Sequence, residues 1–463
     1  MDAVTLARLQ FAFTVGFHFL IVPVSIGLSV MMVIAERRFR RSGLVEDRRA
    51  SDFWIRLFTT TFAIGVATGI TMEFAFGTNW ADYSRFVGDI FGAPLAAEGV
   101  FAFFLESTFL GVLLFGRGRV SNKFYYVSTW LVAAGAHLSA LWIIIANSWQ
   151  QTPAGFAVID GRAQLTDFFA AAFNPSTLPR YFHTVASTWV AGAFIAAAIA
   201  AWYMLRDREH DFARKVMPAA LTVALLASLA MPIIGDFHAR QVAATQPAKL
   251  AAFEGIYPTQ THAPMAVVGW VDTNTQTVRG IKIPNVLSVL VGYSANTKIT
   301  GLDAYKPADR PPVQLTFQSY HLMVLLGFWL IAVAIAGLVQ WRRGKLAQSR
   351  GLLWAIVATA PLTILAIQSG WMAAEVGRQP WIVYGQLRTV DAASKVVPAA
   401  QIAATMTGFG LIYLVLFIGW MRIFFGVVKR GPEAIAVPGQ DVTLPETAGA
   451  TERTHTDRPA TTY

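Results

Sequence analysis

The sequence predicts an all-α protein: a polytopic membrane bundle of nine transmembrane helices, with the N-terminus outside and the C-terminus in the cytoplasm. Of the 463 residues, 55% are hydrophobic and only 14% are charged, and the mean hydropathy is +0.49. Soluble domains contain roughly 25% charged residues, so much of this protein's surface must face lipid. The apolar residues also form long stretches, and the polar segments between them alternate in charge.

Nine stretches are long enough to span a bilayer, which requires about 20 apolar residues. They cover residues 10–35, 54–78, 95–116, 124–147, 181–205, 216–236, 317–340, 351–374 and 398–425. The first stretch ends at Glu36 in a basic run and has no small-residue cleavage site. We therefore expect a retained first helix rather than a removed signal peptide.

Positive charge is concentrated in every second polar segment. The basic segments are those joining the first and second, third and fourth, fifth and sixth, and seventh and eighth stretches. Cytoplasmic segments carry an excess of Lys and Arg, so an odd number of helices places the N-terminus outside. These segments also account for the net charge of +10, and no nucleic acid is expected as a partner.

Two segments lie outside this alternation. Residues 237–316 are predicted to form a long, partly ordered extracytoplasmic loop, and a loop of that length is typically functional or disordered. Residues 431–463 are rich in Thr, Pro and Ala and are predicted to form a disordered cytoplasmic tail, which leaves 1–430 as the transmembrane domain.

The chain has no cysteine, which excludes disulfides, thiolate metal sites and covalently attached c-type heme.

Ionisable side chains inside the predicted spans are the first functional candidates, because a charge within a bilayer is costly. These candidates, with one thioether and one arginine beside them, are His18, Glu73, Glu98, Glu106, His137, His183, His321, Met323, Glu375 and Arg378. Most fall near the outer ends of their helices. Imidazole, thioether and carboxylate groups all serve as heme ligands, so the cluster indicates a metal-binding or proton-carrying site.

Simpler interpretations remain for several of these residues. His137 lies among small residues and is more often a hydrogen-bonded packing residue, and a single methionine such as Met323 is more often core or lipid-facing. Glu98 and Glu106 lie about 12 Å apart along a helix, which favours a proton path over packing. Their spacing leaves both a redox enzyme and a proton-coupled transporter open.

Three groups of motifs resemble subunit I of the cytochrome bd quinol oxidases. GDIFGAPLAAE at 88–98 and FFLESTF at 103–109 are similar to the family's third-helix signature, and TMEF at 71–74 resembles the segment before it. GRQPW at 377–381 is similar to another family motif. The resemblance extends from the first helix to about residue 430 and is far more specific than any single pattern.

This resemblance implies three hemes. His18 matches the axial ligand of one high-spin heme, His183 and Met323 match the two ligands of a low-spin heme b, and Glu375 matches the carboxylate at the other high-spin heme. The expected cofactors are low-spin heme b, high-spin heme b and heme d, or a further heme b in place of heme d. His321 stands where many relatives have Arg, and a His/His pair is the alternative to Met323.

The resemblance also implies the catalytic and substrate-binding residues. By this comparison Glu98 lies at the oxygen-reactive center, Glu106 and Ser107 lie on a proton route, and Arg378 and Trp371 lie beside the high-spin hemes. Lys249 and Glu254 match quinol-linked residues of the outer loop, which looks like the family's short form. No role is assigned to Glu73 or to His321.

The implied activity is that of a ubiquinol:O2 oxidoreductase of the bacterial inner membrane. Quinol is oxidised at the outer loop, dioxygen is reduced to water, and protons come from the cytoplasm, which makes the reaction electrogenic without a pump. The expected partners are subunit II, in a heterodimer, and a small single-helix subunit. A family variant with only b hemes, of the cyanide-insensitive type, and a proton-coupled transporter are the alternatives.

Overall fold

The computed structural model describes residues 1–432, and the predicted disordered tail lies, from residue 433 onward, outside the described residues. The helices and strands, in chain order, are α1 (Ala3–Ser42), α2 (Val45–Thr78), α3 (Ala81–Ala97), a π-helical turn (Glu98–Phe103), α4 (Phe104–Phe115), α5 (Asn122–Gln151), β1 (Phe156–Ile159), β2 (Arg162–Leu165), α6 (Phe168–Ala172), α7 (Thr177–Leu205), α8 (His210–Thr245), α9 (Pro247–Glu254), β3 (Met265–Asp272), β4 (Thr277–Ile283), α10 (Val286–Gly292), α11 (Val313–Arg342), α12 (Arg350–Val376), β5 (Trp381–Val383), β6 (Leu387–Arg388), α13 (Thr389–Ala392) and α14 (Ala399–Arg430).

Within these residues, nine helices are long and apolar enough to cross a membrane, which confirms the predicted number. The third is a composite of α3, the π-helical turn and α4, and it begins at Ala81 rather than at residue 95. Hydropathy missed its first turns because α3 is amphipathic: Tyr83 and Phe86 are buried, whereas Arg85 and Asp89 are exposed. Helix α8 also continues to Thr245, so the loop predicted to begin at 237 begins at Gln246.

The centre of the bundle is a close contact between α1 and α7. A Cβ atom placed on Gly192 would lie 2.2 Å from the Gly27 carbonyl carbon, so neither position has room for a side chain. Around this point α7 is rich in buried alanines, and small residues let helix backbones approach closely in membranes. Helix α7 also packs against α5, α8 and α12, which brings four other spans to the same axis.

One end of the bundle, called the basic end here, carries a partly buried ion-pair network. Arg117 pairs with Glu36 at 2.7 Å, and Lys215 pairs with Asp47 at 3.0 Å. These pairs join α1 to the α4–α5 connection and α2 to α8. Because Glu36 and Asp47 are almost fully buried, their charges require such partners.

The opposite end, called the loop end here, holds the segment between α8 and α11. Its helix α9 packs against α11, and its β3–β4 hairpin is antiparallel. A separate apolar cluster, with Phe253, Val271 and Phe317 among its members, forms its core. The segment between α8 and α11 is therefore folded, in agreement with the partial order expected from its sequence.

Candidate functional site

His18 lies on the face of α1 that packs against α2 and α12. Its Nδ1 atom is 2.8 Å from the Thr68 hydroxyl oxygen, which sets the orientation of the ring. The Gln368 amide donates to the Gly16 carbonyl at 2.7 Å, and the rings of Phe19 and Trp371 are 6.3 Å apart. His18 and Trp371 therefore belong to the same interface, and no hydrogen bond within residues 1–432 engages His18 Nε2.

His183 lies near the loop end of α7. Its Nδ1 atom is buried without a hydrogen-bond partner in the described part of the chain, and Gly235 of α8 faces the ring, where an added Cβ atom would lie 3.6 Å from Cε1. The ring of His238 lies 5.5 Å away at an interplanar angle of 62°. Sequence reasoning missed His238 because it falls in the segment predicted as loop.

Met323 and His321 lie on α11, and their atoms are engaged differently. A Cβ atom on Gly370 would lie 2.6 Å from Met323 Sδ, so this glycine of α12 makes room for the thioether. The two ring nitrogens of His321 lie 2.9 Å and 3.0 Å from the carbonyl oxygens of Phe317 and Ala266. Because iron requires a free lone pair, this arrangement favours Met323 over His321 as the ligand.

Glu375 is the centre of a polar cluster where α5, α7 and α12 meet. Asn147 and Gln151 each donate to its Oε1 atom at 3.2 Å, and Arg378 donates to Oε2. Arg180 of α7 completes the cluster, at 3.5 Å from Oε1. A carboxylate offers about four acceptor positions, two on each oxygen, so Oε1 is fully engaged and Oε2, with one donor, retains capacity for a metal.

This cluster contains more positive than negative groups. Arg180 and Arg378 flank the single carboxylate of Glu375, with the Lys249 amine nearby, and both arginines have a buried Nε atom without a hydrogen-bond partner in the part of the chain described. Buried charges are normally paired, so the site is complementary to further anionic groups. Heme propionates have this chemistry.

Lys249 and Glu254, the two residues matched to quinol binding, lie on α9 but point in different directions. The Lys249 ammonium donates to the Gln151 side chain, toward Glu375, and the Glu254 carboxylate accepts from the Ala266 backbone N–H at 3.0 Å. Burial, together with the nearby Arg180 guanidinium, holds the pKa of Lys249 well below its usual value. Burial also raises the pKa of Glu254 to about 7.

Glu98 opens the π-helical turn, and Ser139 of α5 donates to its carboxylate at 2.7 Å. Such turns are often found at functional sites. Glu106 is buried against Gly135, where a Cβ atom would lie 2.4 Å from its Cγ atom. The Ser107 hydroxyl instead donates to the Phe103 carbonyl of its own helix at 2.5 Å, so Ser139 rather than Ser107 contacts a carboxylate.

The other candidates occupy simpler environments. His137 lies 2.7 Å from the Ala133 carbonyl oxygen through Nδ1, and its Nε2 accepts from the Trp189 indole at 2.8 Å. Both nitrogens are thus satisfied, which confirms the prediction of a packing residue. Glu73 is exposed on α2.

The donor set fits heme groups. Within residues 1–432, the hydrogen bond to His18 engages Nδ1, His183 has a buried nitrogen without a partner, and Met323 is given room by a glycine. Imidazole and thioether are established axial ligands, and a His/Met pair suits electron transfer. The cationic surroundings of Glu375 complement propionate groups in the same region.

Known proteins resemble this chain along almost its whole length. The family model described as cytochrome bd terminal oxidase subunit I matches residues 6–432. Cytochrome bd ubiquinol oxidase subunit 1 of Bacillus subtilis (strain 168) is 37% identical, and the alignment covers 94% of this chain and 95% of that protein. Cytochrome bd-II ubiquinol oxidase subunit 1 of Escherichia coli (strain K12) is 35% identical, with 94% and 98% covered.

Two further relatives extend these matches. A putative cytochrome bd menaquinol oxidase subunit I of Bacillus subtilis (strain 168) is 32% identical, with 93% of this chain and 98% of that protein covered. The structure of bd oxidase from Geobacillus thermodenitrificans has a TM-score of 0.88 at 31% identity and covers 93% and 99% of the two chains. The chain therefore belongs to the cytochrome bd terminal oxidase subunit I family.

Proposed function

We propose that this chain is the quinol-oxidising subunit of a bacterial terminal oxidase that reduces dioxygen to water. The observation that carries the proposal is the family match over residues 6–432. The nine apolar helices agree with a multi-pass membrane protein, and the bacterial inner membrane is its proposed location. The chain assembles with a subunit II, and a small single-helix subunit is a further proposed partner.

His183 and Met323 would hold the low-spin heme b, and His18 and Glu375 would serve the two high-spin hemes. One high-spin site takes heme b and the other heme d, or a further heme b. When bound, the hemes supply electron transfer and oxygen reduction. The chain's own contribution is orientation: Thr68 sets the His18 ring, and Arg378 holds one oxygen of Glu375.

Quinol oxidation is assigned to Lys249 and Glu254 of the loop end. The carboxylate of Glu254 is buried, and its pKa of about 7 suits it to exchange a proton near neutral pH. Ubiquinol is the proposed substrate. Arg378 and Trp371 would act beside the high-spin hemes.

Protons for oxygen reduction are proposed to come from the cytoplasm past Glu106 and Ser107 to Glu98. The contact between Ser139 and Glu98 supports a polar route at this level of the bundle. The basic end is proposed to face the cytoplasm, because its connections carry the Lys and Arg excess of the positive-inside rule. Protons taken up there and released at the loop end separate charge without a pump.

The experiment is a reduced-minus-oxidised visible spectrum of the purified complex, with oxygen consumption driven by short-chain ubiquinol or short-chain menaquinol. We expect b-type and d-type bands and a higher rate with ubiquinol. A colourless preparation would overturn the oxidase assignment and favour a proton-coupled transporter. Bands of b-type alone would identify the variant without heme d, and a higher rate with menaquinol would correct the substrate.

A further inference from the structure

Gln151 connects two sites that the proposed function treats separately. Its side-chain oxygen accepts from the Lys249 ammonium of the loop end, and its side-chain nitrogen donates to Glu375 Oε1 at 3.2 Å. One amide group therefore contacts both a residue assigned to quinol binding and a carboxylate assigned to a high-spin heme.

The position of Gln151 is fixed from several sides. It is the last residue of α5 and is 1% exposed, and its backbone carbonyl accepts from the Gln246 side chain at 2.8 Å. Gln246 immediately precedes α9, so the same residue anchors the start of the helix that carries Lys249. The amide consequently has little freedom to seek other partners.

Lys249 reaches Gln151 across a glycine. A Cβ atom on Gly377 would lie 2.9 Å from Lys249 Cγ, so the lysine stem passes where a larger residue would stand. The lysine is itself 3% exposed, which confines its ammonium group to the polar cluster. Its path toward Gln151 is thus built into the packing of α9 against the end of α12.

The chemistry of the amide suits a link between these two groups. A glutamine offers an acceptor oxygen and a donor nitrogen on one planar unit, so the oxygen serves the ammonium while the nitrogen serves the carboxylate. A leucine or methionine offers neither at comparable strength. The Gln151 oxygen thereby orients the Lys249 amine for a quinol oxygen, and any shift of that amine on quinol binding is passed through the amide to Glu375.

We propose that Gln151 is a positioning residue that couples quinol binding at Lys249 to the orientation of the Glu375 carboxylate. The inference rests on the proposed function and deepens it. Coupling between two sites is reciprocal, so the state of the Glu375 site also affects quinol affinity. Two readouts follow: the Michaelis constant for quinol, and the response of the high-spin heme spectrum to quinone.

The test compares Gln151→Met with the wild-type complex. Methionine has a similar length and lacks the amide, so we expect KM for short-chain ubiquinol to rise about tenfold, as for loss of one hydrogen bond to a charged group, with kcat changed much less. In air-oxidised wild-type enzyme, adding oxidised short-chain ubiquinone should shift the high-spin heme band. In the variant this shift should disappear.

Gln241→Met is the matched control, because Gln241 lies on α8 and bonds Ser176 and Thr245 rather than this cluster. This variant should keep KM within about twofold of the wild-type value, a smaller change than the loss of one hydrogen bond would cause. It should also keep the spectral shift. Gln151→Asn retains the amide with a shorter reach and covers the case in which Gln151→Met does not assemble. It should give smaller changes in the same direction.

If the wild-type complex is active and the Gln151 variants match it in both KM and spectral response, the coupling is contradicted and the proposed function is unaffected. A wild-type complex without quinol-dependent oxygen consumption would overturn the proposed function instead. A higher KM in both the Gln151 and the Gln241 variants would show a general packing effect and would also contradict the inference.

Discussion

At the scale of single residues, hydrogen bonding separates the two candidate heme ligands on α11, His321 and Met323. His321 faces carbonyl oxygens with both ring nitrogens, so coordination by it requires breaking a buried contact. A net hydrogen bond contributes about 1 kcal/mol, and a buried group left unsatisfied costs about 1–3 kcal/mol. The Met323 sulfur lies against Gly370 and requires no such exchange.

This difference predicts that Met323→Leu removes the low-spin heme signal. Leucine replaces methionine with nearly equal volume at a cost usually below about 1.5 kcal/mol, so the helices should still assemble. The reduced-minus-oxidised spectrum of the purified complex should lose its low-spin b band while the high-spin signals remain.

Met372→Leu is the matched control, because Met372 lies on α12 next to Trp371 and is 37% exposed. Its spectrum should equal that of the wild type. An unchanged low-spin band in Met323→Leu would assign the ligand position to His321 or His238 instead.

Sequence reasoning identified His18, His183 and Met323 through the resemblance, and the structure shows what surrounds them. It missed His238, which falls in the segment predicted as loop, and it missed Ser139 and Gln151 because each gains its significance from a partner on another helix. Ser139 and Glu98, for instance, are far apart in the sequence but 2.7 Å apart in the fold. No local pattern of hydropathy or charge contains that information.

At the scale of elements, hydropathy predicted all nine spans because a lipid-facing helix must be apolar along its whole length. It shortened the third span, where α3 buries only one face, and it gave no sign of the π-helical turn at Glu98–Phe103. That turn depends on a shift in the backbone hydrogen-bond pattern, and apolar periodicity alone does not report it.

The contact between α1 and α7 predicts that Gly192→Ala destabilises the bundle. The added methyl group would lie 2.2 Å and 2.4 Å from the carbonyl carbon and oxygen of Gly27, and backbone atoms cannot move aside as a flexible side chain does. Overpacking of this kind costs about 1–3 kcal/mol or more. The unfolding midpoint of the purified complex, followed by circular dichroism, should fall by several degrees.

Gly419→Ala on α14 provides the comparison, because no atom of the described residues lies within 4 Å of a Cβ atom there. Alanine is the better helix former by about 1 kcal/mol, so this variant should melt at or above the wild-type temperature. Equal midpoints for Gly192→Ala and the wild type would show that the two helices tolerate greater separation.

At the scale of the whole molecule, the fold separates two chemically different ends. The basic end holds the Arg117–Glu36 and Lys215–Asp47 pairs, and the loop end holds Lys249, Glu254 and the Glu375 cluster. The proposed charge separation requires these ends to face opposite sides of the membrane, with the loop end outside. The distribution of Lys and Arg supports that orientation.

The orientation is directly measurable because the chain contains no cysteine, so any thiol label must report an introduced residue. Thr273→Cys places one thiol at the exposed tip of the β3–β4 hairpin, and Gln348→Cys places one at the exposed connection between α11 and α12. In spheroplasts, a membrane-impermeant maleimide should label Thr273→Cys fully and Gln348→Cys only after lysis. Both variants should keep wild-type spectra, which would show that the label reports the native fold.

Labelling of Gln348→Cys in sealed cells, with Thr273→Cys protected, would show that the bundle has the opposite orientation. The loop end would then face the cytoplasm, and the proposed separation of charge across the membrane would be wrong even if the complex had full oxidase activity.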